Sequence, residues 1–208
     1  MIVRPLTIAG LLVLLLAWAG PLPHMVQGSF TAHMALHMAV VGIGVPLLAA
    51  GIGPFVGARG WLRSQLALPI AASIIDFVVV WGWHAPALHH ASRSSYLALT
   101  IEQLSFAAVS LLVWLVALTS TGETRRSAAL AGAMALFFTS MHMTLLGALI
   151  GLAPRAIFGD HAHHATPTSA LLADQQLGGV IMLAIGGVIY LAGGLVLMAR
   201  VLQREEAT

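Results

Sequence analysis

Apolar residues fall into six long blocks along the chain, separated by short polar linkers. A helix that crosses the hydrocarbon core of a bilayer needs about 20 apolar residues, and each block comes near that length. The pattern predicts an all-α fold: a polytopic membrane bundle of six transmembrane helices that forms one integral membrane domain over residues 1–208. The blocks cover about 6–20, 29–50, 63–83, 96–118, 127–150 and 175–199.

The arginines predict the orientation of this bundle. When the blocks alternate as spans, most arginines fall in the linkers of one side, and only Arg93 and Arg155 fall on the other. Cytoplasmic loops carry the excess of positive residues, so we expect both termini in the cytoplasm. The arginines of that side are Arg4, Arg59, Arg125, Arg126, Arg200 and Arg204, with Arg63 at its border. Ala17-Trp18-Ala19 resembles a signal-peptide cleavage site, but the alternation holds with the first block kept, and we expect a retained helix.

The composition limits which residues can bind a metal and which functions the chain can have. The chain is 59% apolar and 8% charged and contains no cysteine, which excludes thiolate metal sites and CxxC redox motifs. Any metal must therefore be held by His, Met, Asp or Glu. The arginines scatter over short linkers instead of forming a basic patch, which argues against nucleic acid as a partner. The sequence has no catalytic triad, phosphate loop or dinucleotide motif, so we expect no enzymatic activity.

All ten histidines lie on the predicted outer side, which suggests metal handling at the periplasmic face. The strongest cluster spans residues 30–38. Residues four apart share a helix face, so His33 and His37 form one ligand pair, and Met34 and Met38 form a second, rotated by about 100°. Thioether and imidazole together favour Cu(I). The alternative is helix packing, in which Met side chains fill gaps in the core.

Three polar residues lie in other apolar blocks. His142 has about the depth of His37, and the two could meet in the bundle; the alternative is a Met-rich core with one satisfied histidine. Asp76 and Glu102 are costly inside a membrane. One interpretation is that they support a ligand histidine, and the other is a protonated carboxyl bonded to the backbone.

The linker histidines carry weaker signals. We expect His84 to close the mouth of a metal site. His89, His90 and the tract 161–164 could bind metal weakly and gather ions near the membrane, but we favour the alternative that they lie in solvated polar loops. The last block has glycine pairs seven or eight residues apart, which place glycine on one face. A neighbouring helix can pack closely there.

Three segments carry a resemblance to a known family. They are Phe-Thr-Ala-His-Met at 30–34 with Val-Pro-Leu-Leu at 45–48, Trp-His-Ala-Pro-Ala-Leu at 83–88, and Asp-Gln-Gln-Leu-Gly-Gly-Val-Ile-Met at 174–182. Together they resemble the caa3-type CtaG family of cytochrome c oxidase assembly factors, over about 29–200. The last segment is the most specific. Members often carry a histidine on the fourth helix near Gln103, where this chain has Glu102-Gln103.

The resemblance implies a multi-pass protein of the bacterial inner membrane that is needed to assemble haem–copper oxidases and is associated with supplying them with copper. Its partners would be cytochrome c oxidase subunits and membrane lipid. We expect Cu(I) to be taken up at the periplasmic face and passed to an oxidase subunit. The resemblance highlights His33, Met34, His37, His84, Asp174, Gln175 and Gln176.

Two alternatives stay open. One is a b-type haem electron-transfer subunit with His37 and His142 as axial ligands, and the other is a metal-free structural subunit of an oxidase. We also expect Asp174 to cap the N-terminus of the last helix. Through Gln175 or Gln176 it would hold an outer-face histidine or the partner oxidase.

Overall fold

The computed structural model describes residues 3–58, 67–118, 125–158 and 167–202. Within these ranges the chain is helical and contains no strand. Among the described residues, five helices are long and apolar enough to cross a membrane, and there are six if the bent pair Leu68–Trp83 and Pro86–Ser94 counts as one span. The all-α polytopic bundle that the sequence predicted is therefore confirmed. Arg59, Arg63, Arg204 and the histidine tract 161–164 lie outside the described residues.

Nine α-helices and one π-helical segment make up the described chain. They are α1 (Val3–Ala19), α2 (Leu22–Met25), α3 (Phe30–Met38), the π-helical segment (Ala39–Gly44), α4 (Val45–Ala58), α5 (Ala67–Trp83), α6 (Pro86–Ser94), α7 (Tyr96–Leu118), α8 (Arg125–Gly151) and α9 (Thr168–Leu202).

The second span is interrupted by its π-helical segment. Ser29 caps its start, because the Ser29 hydroxyl accepts a 3.1 Å hydrogen bond from the Ala32 N–H. The π-helical segment ends two residues before Pro46. Proline lacks an N–H, and in a regular helix its ring would clash with the carbonyl one turn back. π-Helical turns are a common way of absorbing such a break.

The third span bends by 71° after Trp83. His84 and Ala85 form the break, and Pro86 starts α6 at a position where its missing N–H costs nothing. The expectation of a solvated loop around His89 and His90 was wrong, because both lie on α6. The bend turns α6 back over the bundle, so His89 is buried while His90 stays exposed.

The last helix starts earlier than the apolar pattern indicated. α9 begins at Thr168, so Asp174 lies in its second turn and not at its N-cap, and the prediction that Asp174 caps this helix was wrong. Asp174 can lie inside the helix because Ser29, Phe30 and Thr31 satisfy its carboxylate.

Glycines permit close backbone contact in two helix pairs, α8 with α9 and α1 with α4. A Cβ on Gly147 of α8 would lie 2.7 Å from the Leu183 nitrogen of α9. A Cβ on Gly10 of α1 would lie 2.6 Å from the Leu48 nitrogen of α4. Only glycine permits backbones to approach this closely. The expectation of close packing along the glycine face of the last helix is confirmed.

Candidate metal centre

Four histidines and two polar residues of α7 converge at one end of the bundle, which we call the histidine end. This is the end at which α3 and α7 start and α8 stops. The converging residues are His33, His37, His84, His89, Glu102 and Gln103, and none of them is more than 5% exposed. Helices α3, α6 and α7 and the break between α5 and α6 each contribute. His33 and His37 thus occupy the interior position that the sequence predicted.

Three of these residues form a compact ligand group. His33, His89 and Glu102 each offer a ligand atom, and the three atoms lie within 4.8 Å of one another. His33 Nε2 lies 3.1 Å from Glu102 Oε2, and the His33 and His89 ring centroids are 4.5 Å apart. Gln103 Nε2 donates a 3.3 Å hydrogen bond to the same Glu102 oxygen. Glu102 is therefore the residue of α7 that offers a ligand atom to this group.

Most polar atoms of the cluster have no hydrogen-bond partner among the residues that the structure describes. Both ring nitrogens of His33, His37 and His89 are buried without a hydrogen bond, as are His84 Nε2, Glu102 Oε1 and Gln103 Oε1. His33 Nε2 is close to Glu102, but its N–H is not aligned with the carboxylate. An unsatisfied buried polar atom costs roughly 1–3 kcal/mol. A bound cation would satisfy several of these atoms at once.

His37 and His84 lie beside the ligand group. Their ring centroids are 5.5 Å apart, and the Phe106 ring packs 4.2 Å from His37. His84 Nδ1 lies 2.7 Å from the Val80 carbonyl. His84 therefore lies inside the bundle against His37, and not across an open mouth as the sequence suggested.

Aromatic rings cover the cluster at the histidine end. Phe158 stacks on Phe30 with centroids 4.9 Å apart and meets the His89 ring edge-on at 4.6 Å. Arg93 holds the backbone around this aromatic cover of Phe30 and Phe158. Its guanidinium donates to the carbonyls of Val26 and Gln27 at 3.0 Å each and of Phe158 at 2.6 Å.

Helix α9 anchors the same region. The Asp174 carboxylate accepts hydrogen bonds from the Ser29 hydroxyl and from the N–H groups of Phe30 and Thr31. Asp174 therefore caps α3, the helix that carries His33 and His37, across a gap of more than 140 residues in sequence.

The next residue, Gln175, is buried and fixes the cover. Its side-chain oxygen accepts bonds from the Ile157 and Phe158 N–H groups at 2.6 and 3.2 Å, and its amide nitrogen donates to the Ile150 carbonyl at 3.3 Å. It thus holds the segment after α8 and contacts no histidine in these bonds. Gln176 is half-buried on α9.

The methionine pair expected to ligate metal points elsewhere. Met34 and Met38 are fully buried, but they pack against α9. A Cβ on Gly178 would lie 3.0 Å from Met34 Cγ, and one on Gly186 would lie 3.7 Å from Met38 Sδ. The rotation of about 100° between neighbouring helical residues turns the sulfurs towards the glycine face while the imidazoles face α7.

His142 belongs to a different polar contact. Its Nε2 lies 3.2 Å from Asp76 Oδ2, and its ring meets Phe77 at 5.5 Å. One turn away, the Ser73 and Thr139 hydroxyls are 2.9 Å apart. Two polar contacts therefore join α5 and α8. Both membrane carboxylates thus lie against a histidine, as one interpretation of the sequence held. His37 packs on His84 and Phe106 instead of meeting His142.

The sequence interpretation missed His89 as a site residue. The available signal was Pro86 at a helix N1 position, followed by a stretch without glycine through Ser94. That signal predicts a short helix, but it does not show which face is buried.

Comparison with known families identifies the chain. The family model described as cytochrome c oxidase caa3 assembly factor (Caa3_CtaG) matches residues 7–204 of the 208. No curated protein and no solved structure matches the chain.

Proposed function

Because this chain belongs to the Caa3_CtaG family of cytochrome c oxidase caa3 assembly factors, we propose that it binds copper at His33, His89 and Glu102. It would deliver that copper to an oxidase subunit in the same membrane. The protein acts here as a carrier, with copper as its cargo and no bond-making chemistry of its own.

The observation that carries this proposal is the buried ligand group. Three ligand atoms from three helices lie within 4.8 Å, and the polar atoms around them are unsatisfied. Helix packing alone does not explain why histidines would be buried without partners, since buried polar groups are normally hydrogen-bonded. In a metal-free structural subunit, these buried polar atoms would destabilise the fold and nothing would compensate for them.

The chemistry of the ligands supports a borderline transition metal. Imidazole suits copper, zinc, iron and nickel, whereas thioether selects Cu(I). Since Met34 and Met38 face α9, the Cu(I) site expected from mixed His and Met ligands is replaced by an imidazole–carboxylate site. Copper is the member of this set that the resemblance associates with supply to haem–copper oxidases. The haem alternative is less well supported, because His37 and His142 lie in separate polar contacts.

The site lies near the histidine end of the bundle, where a copper ion could enter and leave. His33 is the fourth residue of α3 and Glu102 the seventh of α7, so both lie roughly 4–9 Å along their helices from the histidine end. The arginine distribution supports a periplasmic histidine end, in a bacterial inner membrane. The whole chain would act as one domain, since α9 bonds to both α3 and the segment after α8.

Metal analysis of purified protein tests the proposal. After loading with Cu(II) and gel filtration, wild type should retain about one copper ion per chain, and His33→Ala with His89→Ala should retain close to none. Loss of an outer-shell partner alone weakens metal binding by about 10–100-fold, and this variant loses two ligands. His90→Ala is the matched control, since His90 is the exposed neighbour of His89. Equal copper in wild type and the double variant, or none in wild type, would overturn the proposal.

A further inference from the structure

His37 and His84 form a buried pair that the copper site at His33, His89 and Glu102 leaves unused. The hydrogen bond of His84 determines its tautomer. A backbone carbonyl can only accept, so Nδ1, 2.7 Å from the Val80 carbonyl, carries the proton and Nε2 carries the lone pair. This Nε2 is buried and has no partner. A ring N–H bonded to a carbonyl is the arrangement that orients histidines which ligate metals.

His37 supplies the opposing imidazole. Its side chain is 0% exposed, neither ring nitrogen has a partner, and its ring centroid lies 5.5 Å from that of His84. It follows His33 by one turn of α3, so it lies roughly 6 Å deeper in the bundle. Two buried imidazoles thus pack against each other beside the outer ligand group.

The surroundings of this pair select a cation of low charge. The carboxylate of Glu102 lies against His33. The rings packed on the pair are Phe106, 4.2 Å from His37 and 6.0 Å from His84, and His89, 6.2 Å from His84. The cost of burying an ion rises steeply with its charge, so two neutral ligands without a carboxylate suit a monovalent ion. An aromatic ring tolerates a cation nearby.

We propose that His37 and His84 form a second, inner metal position for a monovalent d10 ion, Cu(I) in the cell. This inference rests on the proposed function, because a Cu(I) ion would have to pass the outer ligands to reach the inner position, with no change in its oxidation state. The chain would then have two positions of different charge preference, with His33 of the outer one and His37 of the inner one a single turn apart on α3.

The test uses Ag(I), a redox-inert monovalent probe, together with Cu(II) for the outer position. A variant with His89→Ala and Glu102→Gln should lose Cu(II) yet still bind one Ag(I) per chain. Adding His37→Ala or His84→Ala should weaken that Ag(I) binding at least tenfold, whereas adding His90→Ala should leave it unchanged. Isothermal titration in detergent measures each binding event.

Separate controls test whether the variants fold and whether the proposed function holds. The variant His37→Ala with His84→Ala in an otherwise natural chain should keep its Cu(II) at the outer position, which shows that it is folded. The inner position is refuted if the outer-site variant binds no Ag(I), or if its Ag(I) binding survives the loss of His37 and His84. Either result would leave Cu(II) binding by wild type, and hence the proposed function, intact.

Discussion

The Asp174 carboxylate of α9 accepts a 2.6 Å hydrogen bond from the N–H of Phe30, the first residue of α3. The same side chain also bonds the Ser29 hydroxyl at 2.9 Å and the Thr31 N–H at 3.1 Å. Helix N-termini present free N–H groups, and a carboxylate is well suited to satisfy them. The start of the helix that carries His33 is therefore held by a residue from the far end of the chain.

Substitution of Asp174 should lower both stability and copper affinity in a defined order. Asp174→Ala removes the cap, and we expect a loss of about 0.5–2 kcal/mol in the free energy of unfolding. Asp174→Asn keeps the oxygen that serves Ser29 and Thr31 but loses the acceptor of the Phe30 N–H, so it should fall between wild type and Asp174→Ala. Thermal unfolding in detergent and Cu(II) titration measure the two effects. An Asn variant as weak as the Ala variant would contradict this division of the bonds.

Glu102→Gln should separate ligation from packing. The side chain keeps its size and a hydrogen-bonding capacity towards His33 but loses its negative charge. Because Glu102 offers one of the three ligand atoms, we expect Cu(II) affinity to fall by at least the 10–100-fold that follows from loss of an outer-shell partner. The melting temperature should change little. Unaltered copper affinity would remove Glu102 from the site.

Arg93→Lys should speed copper release. Lysine keeps the charge but cannot reach the carbonyls of Val26, Gln27 and Phe158 together, so the aromatic cover loosens. Loss of about 1–1.5 kcal/mol of hydrogen bonding corresponds to a rise of roughly five- to tenfold in the release rate. Stopped-flow mixing with a chelator gives the rate. Arg155→Lys, at an exposed position of the same end, should release copper as wild type does. Equal release rates in the Arg93→Lys and Arg155→Lys variants would contradict a role of Arg93 in retaining copper.

Gly147→Ala should destabilise the bundle, whereas Gly82→Ala should not. A Cβ on Gly147 would press on the backbone of Leu183, while nothing lies within 4 Å of a Cβ on Gly82. Overpacking costs about 1–3 kcal/mol, whereas Gly to Ala in an open helical position stabilises by about 0.4–1 kcal/mol. Comparison of the two melting temperatures checks the contact. Similar effects of both substitutions would mean that α8 and α9 do not approach closely at Gly147.

Reporter fusions should place both termini in the cytoplasm. The expectation follows from the arginine-rich linkers of one side. Alkaline phosphatase, active only in the periplasm, should be active when inserted in the segment 151–158 and inactive when fused to the C-terminus. Activity of the C-terminal fusion would reverse the bundle and place the copper site on the cytoplasmic side.

The sequence by itself determined the helical class, the approximate spans and the close glycine contacts of the last helix. It also predicted that His33 and His37 face the interior. These features depend on residues near one another in the chain, because apolar block length reports membrane spans and helical spacing reports which residues share a face. Local pattern is sufficient for them.

Only the tertiary structure decided which residues meet. His89 joins the site because the 71° bend after Trp83 folds α6 over the bundle. Asp174 caps α3 instead of its own helix because α9 starts at Thr168 and brings the carboxylate to Phe30. Met34 and Met38 leave the site because the face they share meets the glycines of α9. Periodicity gives the direction of a side chain on its own helix, but the neighbour it meets depends on how distant helices pack.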